Sequence, residues 1–188
     1  MTRIVSERFI IVIAIDETYE TDEDFQSRYD IVINPQNRPQ NEFNKAYAIH
    51  VSSLGSEYSV ALVGDHNCRD ENCAVIEGSL LTVLQGWEIT QFDVNNAHVT
   101  RTVILHTMAP NFEIHRVAAG YLIYGETEIT MLNDELEVLL SFSGYDIFVS
   151  ESNKTPFEIT EDRICLYDFF DHYYELDFQG NVIFRNDL

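Results

Sequence analysis

Short apolar stretches alternate with polar clusters along the whole chain. Most stretches, such as residues 8–15 and 29–35, are rich in Ile, Val, Tyr and Phe and end at Gly, Asn, Asp or Ser. Runs of β-branched and aromatic residues bounded by turn residues predict β-strands. No twelve-residue window shows the 3.6-residue apolar period of an amphipathic helix. The pattern therefore predicts an all-β chain, in which residues 45–55 and 57–65 form a hairpin about Gly55.

The apolar positions also recur at a longer spacing. Four apolar anchors stand 41, 40 and 44 residues apart: Val51, Phe92, Leu132 and Leu176. Each anchor has an apolar residue three positions before it and another seven positions after it, with a turn-forming cluster between. A repeat of this length that holds several short strands has the size of one β-propeller blade.

The last copy of the repeat reads YYELDFQGNVIF over residues 173–184, and FDVNNAHV over 92–99 is a looser version. The last copy resembles the strand–Asp–turn–Gly–strand unit of quinoprotein-type β-propeller repeats. This resemblance implies repeated antiparallel sheets in a partial or small β-propeller-like fold. The Trp that often ends such repeats is absent, so no functional residue is carried over. A β-sandwich with closely spaced hairpins is the alternative.

Composition places the whole chain in one folded unit. The 188 residues are 45% hydrophobic and 12% aromatic, with only four Pro and eight Gly. This content is too apolar for a disordered chain, and no linker-like tract divides the sequence. We therefore predict a single domain over 1–188. Residues 1–45 supply an N-terminal strand and an acidic segment, and residues 46–188 supply the repeated short strands.

Charge restricts the classes of partner. The chain has 32 acidic and 11 basic residues, a formal net charge of −21. Nucleic acids and anionic membranes are bound through Lys and Arg clusters, so both are excluded as partners. A basic protein would be attracted, and its association would be accelerated at low salt.

The N-terminus predicts a cytoplasmic location. Its apolar run covers residues 9–15, which is too short to span a bilayer, and no signal-peptide cleavage site follows. In a reducing cytosol the three cysteines would be thiols.

Two of those cysteines lie in the stretch GDHNCRDENC, residues 64–73. Cys68, Cys73 and His66 offer zinc ligands, but the second ligand pair of a structural zinc site is missing. The spacing of acidic and glycine residues also fails for a calcium loop. A Cys68–Cys73 disulfide is a further alternative. The favoured interpretation is a polar hairpin loop in which Cys73 begins a strand as a small buried residue and Cys68 is exposed; no metal or cofactor is predicted.

Two groups of acidic residues are candidates for a polar pocket: the first could serve general acid–base chemistry, and the second could bind a cation or sugar hydroxyls in a ligand groove. Asp168, Asp171 and His172 lie in YDFFDHYYELD, where the sequence favours a turn at 171–172. Glu126 and Glu128 are predicted to share one face of a strand. No nucleophile elbow, zinc-protease or phosphate-loop motif accompanies them, so no catalytic residue is assigned.

The acidic run that follows the first strand is the predicted partner-binding surface. Carboxylates surround aromatic rings there, a combination suited to docking a basic protein. The predicted binding residues are Asp16, Glu17, Tyr19, Glu20, Asp22, Glu23, Asp24 and Phe25.

Three functions remain open from the sequence. The leading hypothesis is a non-enzymatic cytosolic binding protein, monomer or homodimer, that neutralises a basic partner; its general character resembles that of bacterial immunity proteins. The first alternative is a small-ligand-binding protein or hydrolase with a carboxylate–histidine pocket. The second is a self-assembling structural β protein.

Overall fold

The structure is a computed structural model that describes residues 1–16, 18, 28–39, 45–65, 71–150 and 154–186. These residues form seventeen β-strands and no α-helix, so the all-β prediction is confirmed. None of them belongs to a helix long and apolar enough to cross a membrane. The chain divides into two compact units, Met1–His106 and Thr107–Leu188, called here the N-terminal and C-terminal units. The prediction of a single domain stays a prediction.

The N-terminal unit contains two sheets. Sheet 1 is formed by β1 (Thr2–Val5), β2 (Phe9–Asp16), β3 (Ile31–Ile33), β4 (Lys45–Ser53) and β5 (Ser56–Gly64). Its spatial order is β1-β2-β4-β5-β3, and β3 pairs in parallel with β5. Sheet 2 is formed in sequence order by β6 (Ala74–Glu77), β7 (Leu80–Gln85), β8 (Glu88–Asp93) and β9 (His98–Ile104). The predicted hairpin about Gly55 is confirmed by the β4–β5 pairing.

The C-terminal unit contains two further sheets. Sheet 3 is formed by β10 (Asn111–Val117), β11 (Gly120–Gly125), β12 (Ile129–Leu132) and β13 (Val138–Phe142). Sheet 4 is formed by β14 (Phe157–Ile159), β15 (Ile164–Tyr167), β16 (Tyr173–Leu176) and β17 (Val182–Asn186). In both sheets each strand pairs antiparallel with the next strand in sequence.

The predicted repeat matches these sheets. Each anchor lies in the third strand of its sheet's spatial order: Val51 in β4, Phe92 in β8, Leu132 in β12 and Leu176 in β16. All four anchors are at most 1% exposed. The spacing of 40 to 44 residues is therefore the length of chain that builds one sheet.

The turns that follow the anchors share a backbone conformation. Four or five positions after each anchor stands a residue with positive φ: Gly55 (91°), Ala97 (53°), Leu136 (60°) and Gly180 (81°). In sheets 2, 3 and 4 the strand pairing also shifts register at the anchor itself. The repeat is thus a repeat of backbone geometry, because the residue types at the turn differ from copy to copy.

Apolar faces of neighbouring sheets form a core within each unit. In the N-terminal unit Ile49 of sheet 1 belongs to the same buried cluster as Phe92 of sheet 2. In the C-terminal unit Met131 of sheet 3 shares a cluster with Tyr174 and Leu176 of sheet 4. Each fully buried side chain of this size stabilises the fold by about 1.5–3 kcal/mol relative to an exposed one. These cores fix the sheets that carry the turns.

The segment 64–73 differs from its predicted role as a hairpin loop. β5 ends at Gly64 in sheet 1, and β6 begins at Ala74 in sheet 2. The hairpin interpretation is wrong, because the flanking strands belong to different sheets. Cys73 is buried as predicted, and its carbonyl accepts a hydrogen bond from the Leu84 N–H at 2.8 Å. His66 and Cys68 lie outside the described residues, so the zinc and disulfide alternatives stay untested.

The prediction for Glu126 and Glu128 is also wrong. Residues 126–128 form the turn between β11 and β12 and lie on no strand. The N–H of Gly125 donates to the Glu128 carbonyl at 3.0 Å and closes this turn. β-forming residues stand on both sides of the turn, so the sequence reads as one continuous strand.

Candidate functional site

A five-residue turn, residues 168–172, connects β15 to β16. The Asp168 N–H donates to the carbonyl of His172 at 3.1 Å, and the Asp171 N–H donates to the carbonyl of Asp168 at 2.9 Å. Asp171 has a φ of +65°, in the left-handed region that Asp adopts more readily than most residues. The predicted turn at 171–172 is confirmed.

The carboxylate of Asp168 is completely buried inside this turn. Its Oδ1 accepts hydrogen bonds from the N–H groups of Phe170 and His172, at 3.1 and 3.0 Å. Its Oδ2 accepts from the Tyr174 hydroxyl at 2.9 Å and contacts Nδ1 of His172 at 2.9 Å. Because a carboxylate only accepts hydrogen bonds, the proton of this last contact lies on Nδ1.

Burial acts to raise the pKa of Asp168, but the hydrogen bonds from His172 and Tyr174 outweigh it and hold the pKa below its ordinary value. Asp168 therefore stays ionised at neutral pH with every oxygen engaged. A carboxylate with a lowered pKa and four donors is a poor proton acceptor for a substrate. Its contacts are those of a group that holds the turn in shape.

Around this turn lies a group of aromatic side chains, called here the aromatic patch: the exposed Tyr145, Phe169 and Phe170, and the half-buried His172. Tyr145 is 74% exposed, Phe170 61% and Phe169 36%. The rings contact one another edge to face: Tyr145 and His172 have centroids 5.3 Å apart, and Phe169 and Phe170 are 5.5 Å apart. Large apolar side chains clustered at a surface mark a site of interaction.

Hydrogen bonds to the backbone hold the patch in place. The Tyr145 N–H is bonded to the hydroxyl of Tyr174 at 2.9 Å, and Tyr174 is itself 1% exposed. The Phe169 N–H donates to the Ile147 carbonyl at 2.8 Å. Tyr174 therefore links Tyr145 to the buried Asp168, and the two segments that carry the patch are fixed before any partner binds.

The border of the patch is charged. The Lys154 ammonium lies 3.4 Å from the carboxylate of Asp171, and both side chains are more than 40% exposed. Such an exposed ion pair contributes about 0–1 kcal/mol to stability. This ion pair therefore adds little to the stability of the turn that carries the patch.

The five residues considered for a catalytic or ligand-binding pocket do not all meet. Asp168 and His172 are in contact, whereas the Asp171 side chain lies toward Lys154. The backbone carbonyl of Glu126 accepts a hydrogen bond from the Phe148 N–H at 2.6 Å. Among the described residues, the Glu126 and Glu128 side chains make no hydrogen bond with the Asp168–His172 pair.

The predicted acidic binding segment lies largely outside the described residues. This is so for Glu17, Tyr19, Glu20, Asp22, Glu23, Asp24 and Phe25. Asp16 is described, and it accepts hydrogen bonds from the hydroxyls of Thr18 and Tyr29, at 2.7 and 2.8 Å. Its side chain is 8% exposed and also lies 3.3 Å from Arg28. Asp16 thus serves internal contacts, and the binding role of the segment stays a prediction.

A second polar cluster lies in the N-terminal unit. Arg38 donates to Asp65 at 2.9 Å and to Glu88 at 3.0 Å. Glu88 is 1% exposed, and burial raises its pKa above the ordinary value, while the attraction of Arg38 offsets this only in part. Within the described parts of the chain, no three His, Cys, Asp or Glu side chains are grouped so that they could hold a metal ion.

Sequence reasoning missed the aromatic patch. The doublet Phe169–Phe170 directly after Asp168 is a signal in hindsight, since a turn between two strands exposes its central residues. Tyr145 had no such signal, because its place beside His172 depends on the hydrogen bond with Tyr174, which lies 29 residues later.

Comparison with known proteins gives fold-level similarity. No protein-family model matches the chain, and no curated protein matches it. Raptor from Chaetomium thermophilum is 14% identical, with 84% of this chain and 16% of that chain covered and a TM-score of 0.51. Dihydro-heme d1 dehydrogenase NirN, in complex with DHE, is 14% identical, with coverages of 77% and 35% and a TM-score of 0.51. The Pan2 WD40 domain of Neurospora crassa is 13% identical, with coverages of 61% and 37% and a TM-score of 0.47.

The chain spans less than two fifths of the length of each of these structures. The matched structures are β-propeller-type proteins. Together with the four repeated sheets, the similarity to Raptor and NirN confirms the β-propeller-like fold rather than the β-sandwich alternative. The fold of this chain is therefore of the β-propeller type, built from sheets that repeat about every 40 to 44 residues.

Proposed function

We propose that the protein is a non-enzymatic cytosolic binding protein and that the aromatic patch is the surface on which a basic protein partner docks. The observation that carries the proposal is the exposure of Tyr145 and Phe170, at 74% and 61%. Phe170 lies on the turn fixed by the buried Asp168, and Tyr145 lies on a second segment that Tyr174 links to Asp168. The neutralising, immunity-like form of this function rests on the sequence alone.

Exposed rings on a fixed backbone suit a binding surface. An aromatic side chain offers a large contact area with only two rotatable bonds, so little conformational entropy is lost on binding. Side chains that dominate an interface typically cost about 2 kcal/mol or more when truncated. Because Tyr145 and Phe169 are anchored by backbone hydrogen bonds, the patch needs no ordering step before it binds.

The charge of the chain favours a basic partner. The C-terminal unit carries 16 acidic and four basic residues, out of 32 and 11 in the whole chain. This excess attracts a cationic protein over a distance and raises its association rate at low salt. At contact, the faces of Tyr145 and Phe170 can receive Arg or Lys side chains through cation–π interactions.

The acidic segment at 16–25 has a complementary role in this proposal. Its six carboxylates add to the long-range attraction, while the aromatic patch supplies the short-range contacts. Removing charge from the segment should therefore lower the association rate more than it raises the dissociation rate.

A peptide of alternating Arg and Trp residues, labelled with fluorescein, is a suitable probe for binding by fluorescence anisotropy. We expect the double variant Tyr145→Ser, Phe170→Ser to bind it at least tenfold more weakly than wild type, about 1.4 kcal/mol. The matched control is Leu54→Ser, Met108→Ser, which removes side chains 101% and 94% exposed at distant positions in the sequence.

The two doubles remove comparable apolar surface and no charge. Equal affinity of wild type, patch variant and control would mean that the peptide binds by net charge alone, and would contradict the proposal. An acidic peptide of the same length should not bind any of the three proteins.

A further inference from the structure

Three buried side-chain oxygens on sheet 2 have no hydrogen-bond partner among the described residues: Oε1 of Gln85, Oε1 of Glu88 and Oγ1 of Thr90. Each of these three residues is at most 1% exposed. Buried polar groups in folded proteins are almost always hydrogen-bonded, because an unsatisfied one destabilises the fold. The three oxygens therefore indicate a bound group other than a described side chain.

The pairing of β7 with β8 places these side chains on one face. Gln85 stands directly opposite Glu88, and Val83 stands directly opposite Thr90. Residues two apart on a strand, and residues directly opposite on a neighbouring strand, share a face of the sheet. This face is turned toward sheet 1, because Val83 belongs to the same buried cluster as Ile49 of sheet 1. The three side chains therefore occupy neighbouring positions between sheets 1 and 2.

Sheet 1 is shaped to receive the amide of Gln85. The Nε2 of Gln85 donates to the carbonyl of Leu62 on β5 at 3.1 Å. A Cβ atom at Gly64 would lie 2.7 Å from this Nε2 and 2.8 Å from Oε1, closer than such atoms approach. Gly64 thus leaves the space that the amide fills. With Nε2 bonded to sheet 1, Oε1 of Gln85 is an acceptor that a further donor can reach only from the space between the sheets.

Arg38 engages only one oxygen of Glu88. It donates to Oε2 at 3.0 Å from a fixed turn, in which its own N–H donates to Oδ1 of Asn34 at 2.9 Å. Burial raises the pKa of Glu88, and neither Arg38 nor the side chain of Gln36 in the same turn offsets this fully. Among the described residues, no group donates a hydrogen bond to Oε1. The charge of Glu88 is therefore paired, while its second oxygen needs another donor.

The hydrogen-bonding capacity of the three groups selects the ligand. The amide oxygen of Gln85 and the ionised carboxylate of Glu88 only accept hydrogen bonds, whereas the Thr90 hydroxyl can donate one. One water molecule satisfies all three groups, because it donates two hydrogen bonds and accepts one, and about three polar partners are typical of buried water. A Ca²⁺ or Mg²⁺ ion needs about six oxygen ligands, and it would leave the Thr90 proton without an acceptor. The Arg38 guanidinium would also repel such an ion.

We propose that one water molecule is bound between sheets 1 and 2 by Glu88, Gln85 and Thr90. This water supplies the donor that Oε1 of Glu88 lacks in its buried position. Through Gln85 it also connects the Arg38–Glu88 ion pair to the backbone of β5, so that a polar network joins the two sheets beside their apolar core. The inference does not depend on the proposed function.

A crystal structure of the wild-type chain at about 1.5 Å resolution tests the site without a variant. We expect an ordered water about 2.5–3.2 Å from all three oxygens. A side chain from elsewhere in the chain at that position would overturn the proposal. So would direct contact between Oε1 of Glu88 and Oε1 of Gln85, which requires a proton on Glu88. Oxygen distances of about 2.4 Å around the peak would indicate a metal ion and would overturn it as well.

A double-mutant cycle in urea denaturation tests whether one water is shared. Gln85→Met and Thr90→Val each remove a partner of the water at similar side-chain volume. The double variant should therefore raise the unfolding equilibrium constant at least about fivefold less than the product of the two single effects. The matched control pairs Gln85→Met with Thr82→Val, on the opposite face, where Thr82 accepts from Gln91 at 3.0 Å. Its effects should multiply. Multiplying effects in both cycles, or equal coupling in both, would contradict the shared water.

Discussion

Glu88 in the N-terminal unit and Asp168 in the C-terminal unit are both buried carboxylates, but their surroundings differ. Asp168 accepts hydrogen bonds from two backbone N–H groups, a hydroxyl and an imidazole. Oε2 of Glu88 accepts a hydrogen bond from Arg38, while Oε1 finds no hydrogen-bond partner among the described residues. Burial acts to raise the pKa of both groups. The net pKa of Glu88 is raised, whereas the hydrogen bonds to Asp168 outweigh burial and its net pKa is lowered.

The difference shows how a carboxylate beside a histidine should be interpreted. Both oxygens of Asp168 are engaged by the turn that it supports and by Tyr174, and this turn carries the patch residues Phe169, Phe170 and His172. The contacts of Asp168 with His172 therefore stabilise the turn that carries part of the aromatic patch. Glu88 forms one ion pair with Arg38, and its burial is only partly compensated.

The largest effect is expected from Asp168→Ala. It leaves the Tyr174 hydroxyl and the His172 N–H groups without their acceptor, so the free energy of unfolding should fall by about 3 kcal/mol. Urea denaturation measures this. The matched control is Asp177→Ala, which removes an exposed carboxylate that accepts from Gln179 and Asn181 in the next turn of the same sheet. Its cost should be about 1 kcal/mol. Equal costs would contradict the structural role given to Asp168.

The two carboxylates should respond oppositely to pH. The pKa of Asp168 is lowered in the folded protein, so its stabilisation is present above the ordinary value of 3.8 and is lost as pH falls through the folded pKa. The pKa of Glu88 is raised, so its contribution is most favourable below the ordinary value of 4.5 and declines as pH rises through the folded pKa.

Glu88→Gln should therefore gain stability relative to wild type as pH rises from about 4 to 7, and stay within about 1 kcal/mol of wild type at neutral pH. Asp168→Asn should show no such gain: its deficit should grow up to about pH 4 and then stay constant. Urea denaturation across this range checks both. If the stability difference from wild type changed with pH in the same way for both variants, the two carboxylates would not have the opposite pKa shifts given above.

Truncation of the aromatic patch should separate stability from binding. Tyr145→Ser with Phe170→Ser removes mainly exposed surface, so the unfolding free energy should stay within about 0.5 kcal/mol of wild type. Affinity for the cationic peptide should nevertheless fall at least tenfold. A large loss of stability would mean that these rings belong to the core of the turn, contrary to their exposure of 74% and 61%.

The smallest effect concerns the backbone of the same turn. Asp171 has a φ of +65°, a conformation that Gly adopts without strain. Asp171→Gly relieves this strain and removes an exposed ion pair with Lys154, so stability should change by no more than about 1 kcal/mol. A loss of unfolding free energy well above this value would contradict the account, because it would mean that the Asp171 side chain stabilises the fold through more than its ion pair with Lys154.

Periodicity made most of the fold predictable. The anchors Phe92, Leu132 and Leu176 lie where the repeat places them because each of these side chains is buried in the third strand of its sheet and each third strand is followed by a turn. The same pattern gave a wrong prediction at residues 126–128, which were predicted to lie on a strand, because a short turn interrupts a stretch of strand-forming residues there. Local sequence also gave the wrong prediction of a hairpin loop at residues 64–73. No hairpin forms there because β5 and β6 belong to different sheets, which depends on tertiary structure.

The site was much less predictable than the fold. Asp168, Asp171 and His172 were recognised as a polar group in a turn, but their relation to Tyr145 depends on the link through Tyr174. Exposure of Phe169 and Phe170 also follows from tertiary packing, because aromatic residues are usually buried. A sequence pattern records which residues are apolar, whereas a surface depends on which of them the fold leaves uncovered.

Hydrogen exchange in the presence of the Arg–Trp peptide tests the central claim most directly. Because Tyr145 and Phe170 are carried by fixed turns, bound peptide should slow amide exchange at residues 144–149 and 168–172 in wild type. The protection should disappear in the Tyr145→Ser, Phe170→Ser variant. Protection confined to the acidic segment at 16–25, or spread evenly over the chain, would contradict the assignment of the aromatic patch as the binding surface.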